Sequence, residues 1–353
     1  MTTDTVYTAD RLKMAKGVAS QRIPSFDFTK GFLVLFMVLY HWLNYFYGIH
    51  GDIYKYLRFL TPSFIFITGF LIAHVSFAKY GAGSLKLSQR LFVRGIKLLI
   101  LFIALNMITS VIAPSSFVRS LWSGRAALAN LNSIFLVGEI TGSASGKIAV
   151  FAILVPIGYL LILSSLISMA CRLFKYAFQA ACLCSLFLMI YLTWRNSEST
   201  NVELIAIGLF GVVIGFTSQE LIQRMVRHIW VIGVAYIAYL LIITFLPVSL
   251  YIQMIGACLT TALIYAVGTR VSASSRQQDH IVLLGRYSLF GYIAQIAILQ
   301  FLRAALASFH LGIIILAISL ITGLTLTVIA VEIVDYSRAR SKTINFAYQL
   351  VFA

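Results

Sequence analysis

The stretch that decides the fold runs from Ser25 to Phe46 and reads SFDFTKGFLVLFMVLYHWLNYF. It opens with a polar segment that carries Asp27 and Lys30, and it continues as an apolar helix that contains His41. The step from Lys30 to His41 covers about 16 Å along a helix and returns to nearly the same helix face. One face therefore carries a cation near a membrane surface and a titratable ring near mid-depth. Ionisable groups inside a membrane span are energetically costly, so their presence indicates a functional role.

The composition is that of a polytopic membrane protein. Of 353 residues, 60% are hydrophobic and only 11% are charged, whereas soluble domains carry about 25% charged residues. The net charge of +16 raises the possibility of nucleic-acid binding. The cations, however, form short clusters between apolar runs, as the positive-inside rule places them. We therefore expect membrane lipids, and no nucleic acid, as partners.

Hydropathy predicts an all-α fold with ten transmembrane helices and both termini in the cytoplasm. The chain forms one integral-membrane domain, 1–353, with a cytoplasmic N-terminal tail at 1–24 and a cytoplasmic C-terminal tail at 333–353. The predicted spans are 31–49, 59–78, 96–113, 148–170, 177–194, 203–217, 229–246, 248–268, 284–302 and 311–332. The first apolar run is too late and too long for a signal peptide, so we expect it to stay as a span.

The sequence contains no motif typical of a metal site or a nucleotide-binding loop. The four cysteines lie in or beside apolar segments and lack ligand spacing, and the six histidines show none either, so no metal site is predicted. Walker, Rossmann and G-x-S-x-G patterns are all absent.

His41 is the first candidate for chemistry. Asn44 and Tyr45 are its neighbours on the helix surface at i+3 and i+4. Imidazole accepts a proton near neutral pH, so His41 is a candidate general base. The structural alternative is a histidine that bonds across helices. For Asp27 and Lys30, a local ion pair is the corresponding alternative.

A second candidate site precedes the third span. Arg90, Arg94 and Lys97 follow one another on a single helix ridge. Guanidinium groups bind phosphate in a bidentate manner, so the ridge is a candidate phosphate clamp, and the alternative is an ordinary positive-inside anchor. Ser63, next to Pro62 in the second span, is either a packing residue or part of a cavity lining.

The entry to the first span resembles the integral-membrane acyltransferase superfamily, which includes acyltransferase family 3, the glucan succinyltransferase branch and the heparan-glucosaminide N-acetyltransferase-like branch. The match consists of Arg22-Ile-Pro-Ser-Phe-Asp27-Phe-Thr-Lys30-Gly31 followed by His41. Further resemblances cover most of the chain: Phe64-Ile-Phe-Ile-Thr-Gly-Phe-Leu-Ile72, the Arg90/Arg94 ridge, Phe151-Ala-Ile-Leu-Val-Pro-Ile-Gly158 and Leu284-Gly-Arg-Tyr-Ser-Leu-Phe-Gly-Tyr292. Many members carry a histidine near Gln295, and this chain lacks it.

The resemblance implies an acyltransferase in a bacterial inner membrane. It would move an acyl group, acetyl in the first instance, from cytoplasmic acyl-CoA to a hydroxyl or amine of a carbohydrate or envelope glycan. His41 would be the base or acyl carrier, and His50 the second choice, since one branch uses a histidine in the outer loop after the first span. The expected acyl-CoA ligands are Lys30, Arg90, Arg94 and Lys97, with Asp27, Asn44, Tyr45 and Ser63 in support. The alternative is a proton-coupled transporter or flippase with His41 as a relay.

Overall fold

The chain was analysed as a computed structural model that describes residues 23–47, 53–81, 83–112, 125–138, 150–172, 176–195, 199–246, 249–270, 276–306 and 312–352. Within these ranges all regular structure is helical, and no strand occurs. The α-helices are α1 Pro24–Trp42, α2 Ile53–Leu57, α3 Leu60–Leu71, α4 Ala78–Tyr80, α5 Leu85–Ile112, α6 Arg125–Asn132, α7 Leu154–Ala170, α8 Ala177–Trp194, α9 Thr200–Gly215, α10 Gln219–Arg227, α11 Ile229–Phe245, α12 Leu250–Arg270, α13 Arg276–Arg286, α14 Ser288–Leu306, α15 Ile313–Arg340 and α16 Lys342–Phe352. Three π-helical segments interrupt them: π1 Leu43–Tyr47, π2 Ile72–Phe77 and π3 Ser133–Val137.

The apolar helices make this a multi-pass membrane protein. Seven helical stretches in the described part of the chain are long and apolar enough to cross a membrane, and an eighth crossing is possible if the bent pair α9–α10 counts as one span. The helices α7 and α11 are apolar but shorter, and at 1.5 Å per residue they fall short of a hydrocarbon core of about 30 Å. Each of the ten predicted spans overlaps one of these helices, although some bounds differ, as where α5 begins at Leu85 instead of 96. The count of ten crossings stays a prediction.

Helix α1 lies at the centre of the packing. It begins at Pro24, where the missing N–H costs no helical hydrogen bond, and Asp27 occupies its first turn. It contacts α3, α12, α13, α14 and α15. The closest approach is to α13, which runs antiparallel to it: a methyl group on Gly31 would overlap the carbonyl of Ile281, and one on Gly285 would overlap the carbonyl of Asp27. The backbones of the two helices are therefore in direct contact.

Helix α9 packs on α3, and α7 packs on α5, by similarly close backbone contacts. Gly69 of α3 meets the backbone of Gly208 in α9, and Gly95 of α5 meets the backbone of Gly158 in α7. Small residues are typical of membrane helix interfaces, because without a hydrophobic drive between helices the association depends on close packing. These contacts bring α3, α5, α7 and α9 into one cluster beside α1.

One π-helical segment adjoins the predicted base, and another contains a histidine that bonds to a neighbouring helix. Segment π1 follows directly after His41 and Trp42, and π2 contains His74. The ring of His74 bonds to the carbonyl of Gly215 and the side chain of Gln219, at 3.2 Å each. π-Helical turns are rare and are frequent near functional sites.

One end of the helix bundle, where α1 begins, carries most of the described cations, and we call it the basic end. Cross-helix contacts join several of them there. Arg270 donates to the carbonyl of Arg227, and Gly83 lies against Arg172. Cations at the opposite end include Lys55, which donates to the carbonyl of Thr244. The tail predicted from residue 333 is helical, because α15 continues to Arg340 and α16 follows it.

Candidate functional site

A cavity of about 250 Å³ opens at the basic end between α1, α3, α5, α7, α14 and α16. Most of the side chains that line it are apolar, such as Phe64, Leu91 and Ile157, while polar atoms make up nearly half of its wall. Ile72 and Ser76 of π2 also line it. Ligand sites are usually mostly apolar pockets with a few convergent polar groups, and their volumes are about 300–1,000 Å³. This cavity is slightly below that range, so it suits a slender chain better than a complete nucleotide.

Three cations from three separate helices line the cavity. Lys30 comes from α1, Arg94 from α5 and Arg286 from the end of α13. They are brought together by the antiparallel contact of α13 with α1 and by the position of α5 across the opening. Converging like charges repel one another unless an anion is bound, so this arrangement is suited to an anionic group such as phosphate.

Lys30 is also the partner of Asp27. Its Nζ lies 2.7 Å from Oδ1 of the buried Asp27. The ion pair considered from the sequence is therefore present, and it coexists with the position of Lys30 in the cavity wall. Asp27 thus fixes the lysine and offsets part of the positive charge of the cavity.

Tyr292 is the aromatic residue that connects the cavity to His41. The side chain of Tyr292 is 7% exposed and lines the cavity. Its ring centroid lies 6.2 Å from that of His41, and the ring of Phe151 packs edge-on against it at 6.1 Å. His41 is half-buried, its Nε2 is shielded from solvent, and it is not part of the cavity lining. The tyrosine ring therefore lies between the cavity and the histidine.

Phe151 has a strained backbone. Its φ of 62° lies in the left-handed region, which costs a residue with a β-carbon roughly 1–2 kcal/mol. Such strain persists only where the surroundings hold it, and it clusters at functional sites. Here it aims a buried phenylalanine at Tyr292.

The mouth of the cavity is covered in part by α16, whose Tyr348 and Phe352 belong to the lining. Arg338 at the end of α15 holds this helix in place. Its guanidinium lies 4.0 Å from the ring centroid of Tyr348 and donates to Asn345 Oδ1 at 2.9 and 3.1 Å. The same guanidinium lies 5.2 Å from the ring centroid of Tyr287, whose hydroxyl donates to Asp335 at 2.6 Å. Burial, and then this hydrogen bond, raises the pKa of Tyr287 to about 12, so the phenol stays a donor at physiological pH.

The three cations of the predicted ridge have different partners, and only one of them lines the cavity. Arg94 lines the cavity, whereas Arg90 bonds the hydroxyl of Tyr80 and stacks on that ring at 5.1 Å. Lys97 reaches the carbonyl of Gln349 in α16 at 3.4 Å. Neither Arg90 nor Lys97 belongs to the cavity lining. Of the four predicted acyl-CoA ligands, the structure brings only Lys30 and Arg94 together.

The supporting residues predicted around His41 are spread over several contacts. Asn44 donates to the carbonyl of Tyr40, one turn back in its own helix. Tyr45 stacks near His41 at 6.3 Å and receives a hydrogen bond from Gln300 at 3.2 Å. Ser63 is fully buried and donates to the carbonyl of Phe59. The packing role considered for Ser63 is therefore the one its contacts favour, and it does not line the cavity.

His50 lies outside the described residues. Arg286, Tyr292 and Tyr348 are among the cavity residues that the sequence did not predict. The first two lie in Leu284 to Tyr292, a segment whose sequence signal is only its resemblance to the acyltransferase superfamily. The helix that carries Tyr348 was predictable, because Ile344, Tyr348 and Phe352 repeat at helical spacing within the predicted tail.

The sequence predicts no metal site. Among the described residues, no group of three or more histidine, cysteine or acidic side chains is arranged to hold a metal ion.

These features define the class of protein as an all-helical, multi-pass membrane protein in which helices converge on a cationic cavity. The chain was compared with protein-family models, with curated proteins and with solved structures, and nothing matched it. The resemblance to the integral-membrane acyltransferase superfamily therefore stays a prediction that rests on the residues quoted above.

Proposed function

We propose that the protein is a membrane-embedded acyltransferase that moves an acyl group, in the first instance acetyl, from acyl-CoA to a hydroxyl or amine of a carbohydrate. The observation that carries the proposal is the cavity itself. Cations from three helices lie in its walls, and it ends at Tyr292, whose ring is in contact with His41. Coenzyme A has the matching polarity, with phosphates at one end and a reactive thiol at the end of a slender arm.

In this proposal the phosphates bind at the basic end. Lys30, Arg94 and Arg286 supply the charge, and charge-assisted hydrogen bonds to phosphate are about twice as strong as neutral ones. The nucleotide stays at the mouth beside Tyr348, because the enclosed volume of about 250 Å³ suits only the arm. The thioester then lies against Tyr292, one ring away from His41.

His41 is the proposed base. As the acceptor oxygen attacks the thioester carbonyl, His41 takes the hydroxyl proton, the carbon–sulfur bond breaks, and the proton passes to the departing thiolate to give free CoA. A base of this kind contributes about 10²–10⁴-fold, and positioning of donor and acceptor supplies much of the rest. The reaction requires the Tyr292 ring to turn aside, because it separates the cavity from the imidazole.

The experiment is acyl transfer by purified protein in nanodiscs, with labelled acetyl-CoA and a panel of glycans. We expect His41→Gln to lose transfer by about 10²-fold or more, while His74→Gln, a histidine placed elsewhere, retains it. CoA binding separates Arg94→Gln from its matched control Arg90→Gln on the same helix. The first should weaken binding by roughly 10- to 100-fold, the worth of charged hydrogen bonds, and the second should leave it unchanged. Equal effects of the two arginine variants, or no CoA binding at all, would refute the proposal.

One observation favours the alternative of a proton-coupled transporter with His41 as a relay. The ring of His41 stacks near that of Tyr45, whose hydroxyl accepts a hydrogen bond from Gln300, and polar side chains that follow one another inside a span are typical of proton relays. Reconstituted liposomes separate the two functions. A relay predicts solute uptake driven by a pH gradient and lost in His41→Gln, whereas the acyltransferase predicts acyl transfer with no such uptake.

A further inference from the structure

Gln295 stands out in the middle of α14. Its side chain is 0% exposed, and neither its amide nitrogen nor its amide oxygen has a hydrogen-bond partner among the residues the structure describes. The same helix does pair its other amide, because Gln300 donates to Tyr45. An unsatisfied amide inside a membrane protein is expensive and rare, since neither lipid nor bulk water supplies a partner there.

The helix geometry places Gln295 on the face of α14 that meets α1. One turn earlier, Gly291 lies against Val34, and one turn later Leu299 packs with Val38 and Trp42. The same two residues also border α15, since Gly291 lies near Val331 and Leu299 near Gly323. Residues three and four apart share a helix face, so Gln295 lies on the face of α14 that meets α1 and α15, between these contacts. It lies deep in the bundle, beside α1 in the half that leads to His41.

Along α14, Gln295 is also the next polar residue after those that line the cavity. Ser288 and Tyr292 of α14 line the cavity, and Gln295 follows Tyr292 at i+3 on the neighbouring side. At 1.5 Å per residue, Gln295 is about 10 Å deeper than Ser288 at the basic end. When the Tyr292 ring turns aside, as the proposed function requires, the amide becomes the next polar group of α14 that a chain in the cavity would meet.

A primary amide offers a donor and an acceptor side by side, so its full complement is a group with both. The pantetheine arm of coenzyme A carries two secondary amides, each with one C=O and one N–H. We infer that Gln295 is a specificity-determining residue that pairs with a pantetheine amide of the acyl donor. This inference rests on the proposed function. It predicts that the protein rejects acyl donors whose arm has no amide.

The test compares ligands as well as variants. Full-length protein in nanodiscs is titrated with CoA and with adenosine 3′,5′-bisphosphate, which keeps phosphates but has no pantetheine arm. Gln295→Met keeps the length of the side chain and removes the amide. We expect it to weaken CoA binding by roughly tenfold or more, the worth of two neutral hydrogen bonds, and to leave binding of the bisphosphate unchanged.

Stability without ligand provides a second, independent readout. Replacing an unpaired buried amide with an apolar group of similar shape is neutral or stabilising, so Gln295→Met should unfold at the same or a higher temperature. The control is Asn201→Leu, which removes a buried amide that is paired, since Asn201 donates to the carbonyls of Ile134 and Phe135. It should unfold at a lower temperature and bind CoA as the unmodified protein does.

The outcomes distinguish the two proposals. If the unmodified protein binds both ligands and Gln295→Met keeps full CoA affinity, the inference is wrong and the proposed function stands. A variant that loses both ligands equally, or that is less stable without ligand, shows a structural role for Gln295 and also overturns the inference. If the unmodified protein binds neither ligand, the proposed function itself fails.

Discussion

At the scale of single residues, Asp27 has an effect opposite to that of the cations around it. It is buried and its carboxylate neutralises Lys30 at the cavity wall. Asp27→Asn removes one negative charge close to the proposed anion site. We expect the affinity for adenosine 3′,5′-bisphosphate to rise by up to about tenfold at low salt, and the gain to shrink as salt screens the site. Titrations at two salt concentrations measure this.

The control for this prediction is Asp279→Asn, the same change at an exposed position of α13, where solvent screens the charge. It should alter bisphosphate binding little. The thermal stability of Asp27→Asn should fall, because removing one partner of a buried pair leaves the other uncompensated. Weaker bisphosphate binding by Asp27→Asn would mean that the carboxylate serves the site by holding Lys30 in place, against our expectation.

At the scale of helices, the contact of α1 with α13 decides whether the site exists at all, since it brings Arg286 beside Lys30. Gly285→Ala would place a methyl group on the carbonyl of Asp27. We expect a loss of about 1–3 kcal/mol, the usual cost of overpacking. It would be measured as a lower unfolding midpoint in detergent, together with weaker CoA binding.

Gly233→Ala is the matched control, because Gly233 is also helical but has open space where its β-carbon would be. Alanine favours a helix over glycine by up to about 1 kcal/mol, so this variant should be as stable as the unmodified protein or slightly more so. Equal destabilisation by both substitutions would remove the argument that backbone contact between α1 and α13 holds the site together.

Helix α16 provides a second prediction at this scale. Arg338 bonds Asn345 with two donors and stacks on Tyr348, so Arg338→Gln should loosen α16 from the mouth of the cavity. Amide hydrogen exchange in 342–352 should quicken by roughly 10- to 100-fold, since charged hydrogen bonds contribute about 1.5–3 kcal/mol.

Arg340→Gln is the control for this exchange experiment. Arg340 stacks on Tyr336 of its own helix at 4.2 Å, so its loss should leave exchange in α16 nearly unchanged. Fast exchange of α16 in the unmodified protein would contradict its role as a stable cover.

Features that depend on one segment of the chain were predictable from the sequence, whereas contacts between helices were not. All ten predicted spans overlap apolar helices, because apolar length and polar interruptions are read within one segment. The different contacts of Arg90 and Arg94 could not be predicted from one segment, although both residues lie on the predicted ridge. One bonds Tyr80 and the other faces the cavity, and this difference depends on which helices pack against α5.

The same limit explains why Arg286 and Gln295 were missed as site residues. Arg286 joins the cavity only because α13 doubles back along α1. The lack of a partner for Gln295 becomes visible only when every neighbouring side chain is in place. His41 and Lys30 were predictable because their relation is a distance along a single helix.

At the scale of the whole molecule, the proposed function requires the basic end to face the side of the membrane that holds the acyl donor. The positive-inside rule predicts that it faces the cytoplasm, and the proposed donor, acyl-CoA, is cytoplasmic. The test uses single cysteines in a variant whose four native cysteines are replaced by alanine. Lys342→Cys lies at the basic end and Arg195→Cys at the opposite end, and both positions are exposed.

In intact cells we expect a membrane-impermeant maleimide to label Arg195→Cys and to leave Lys342→Cys unlabelled until the membrane is opened. Both variants should first show the unfolding midpoint of the cysteine-free parent, so that labelling reports orientation alone. The reverse pattern would place Lys30, Arg94 and Arg286 on the outer side. A cytoplasmic thioester could not then reach the cavity, and its cations would instead have to bind an anionic group from outside the cell.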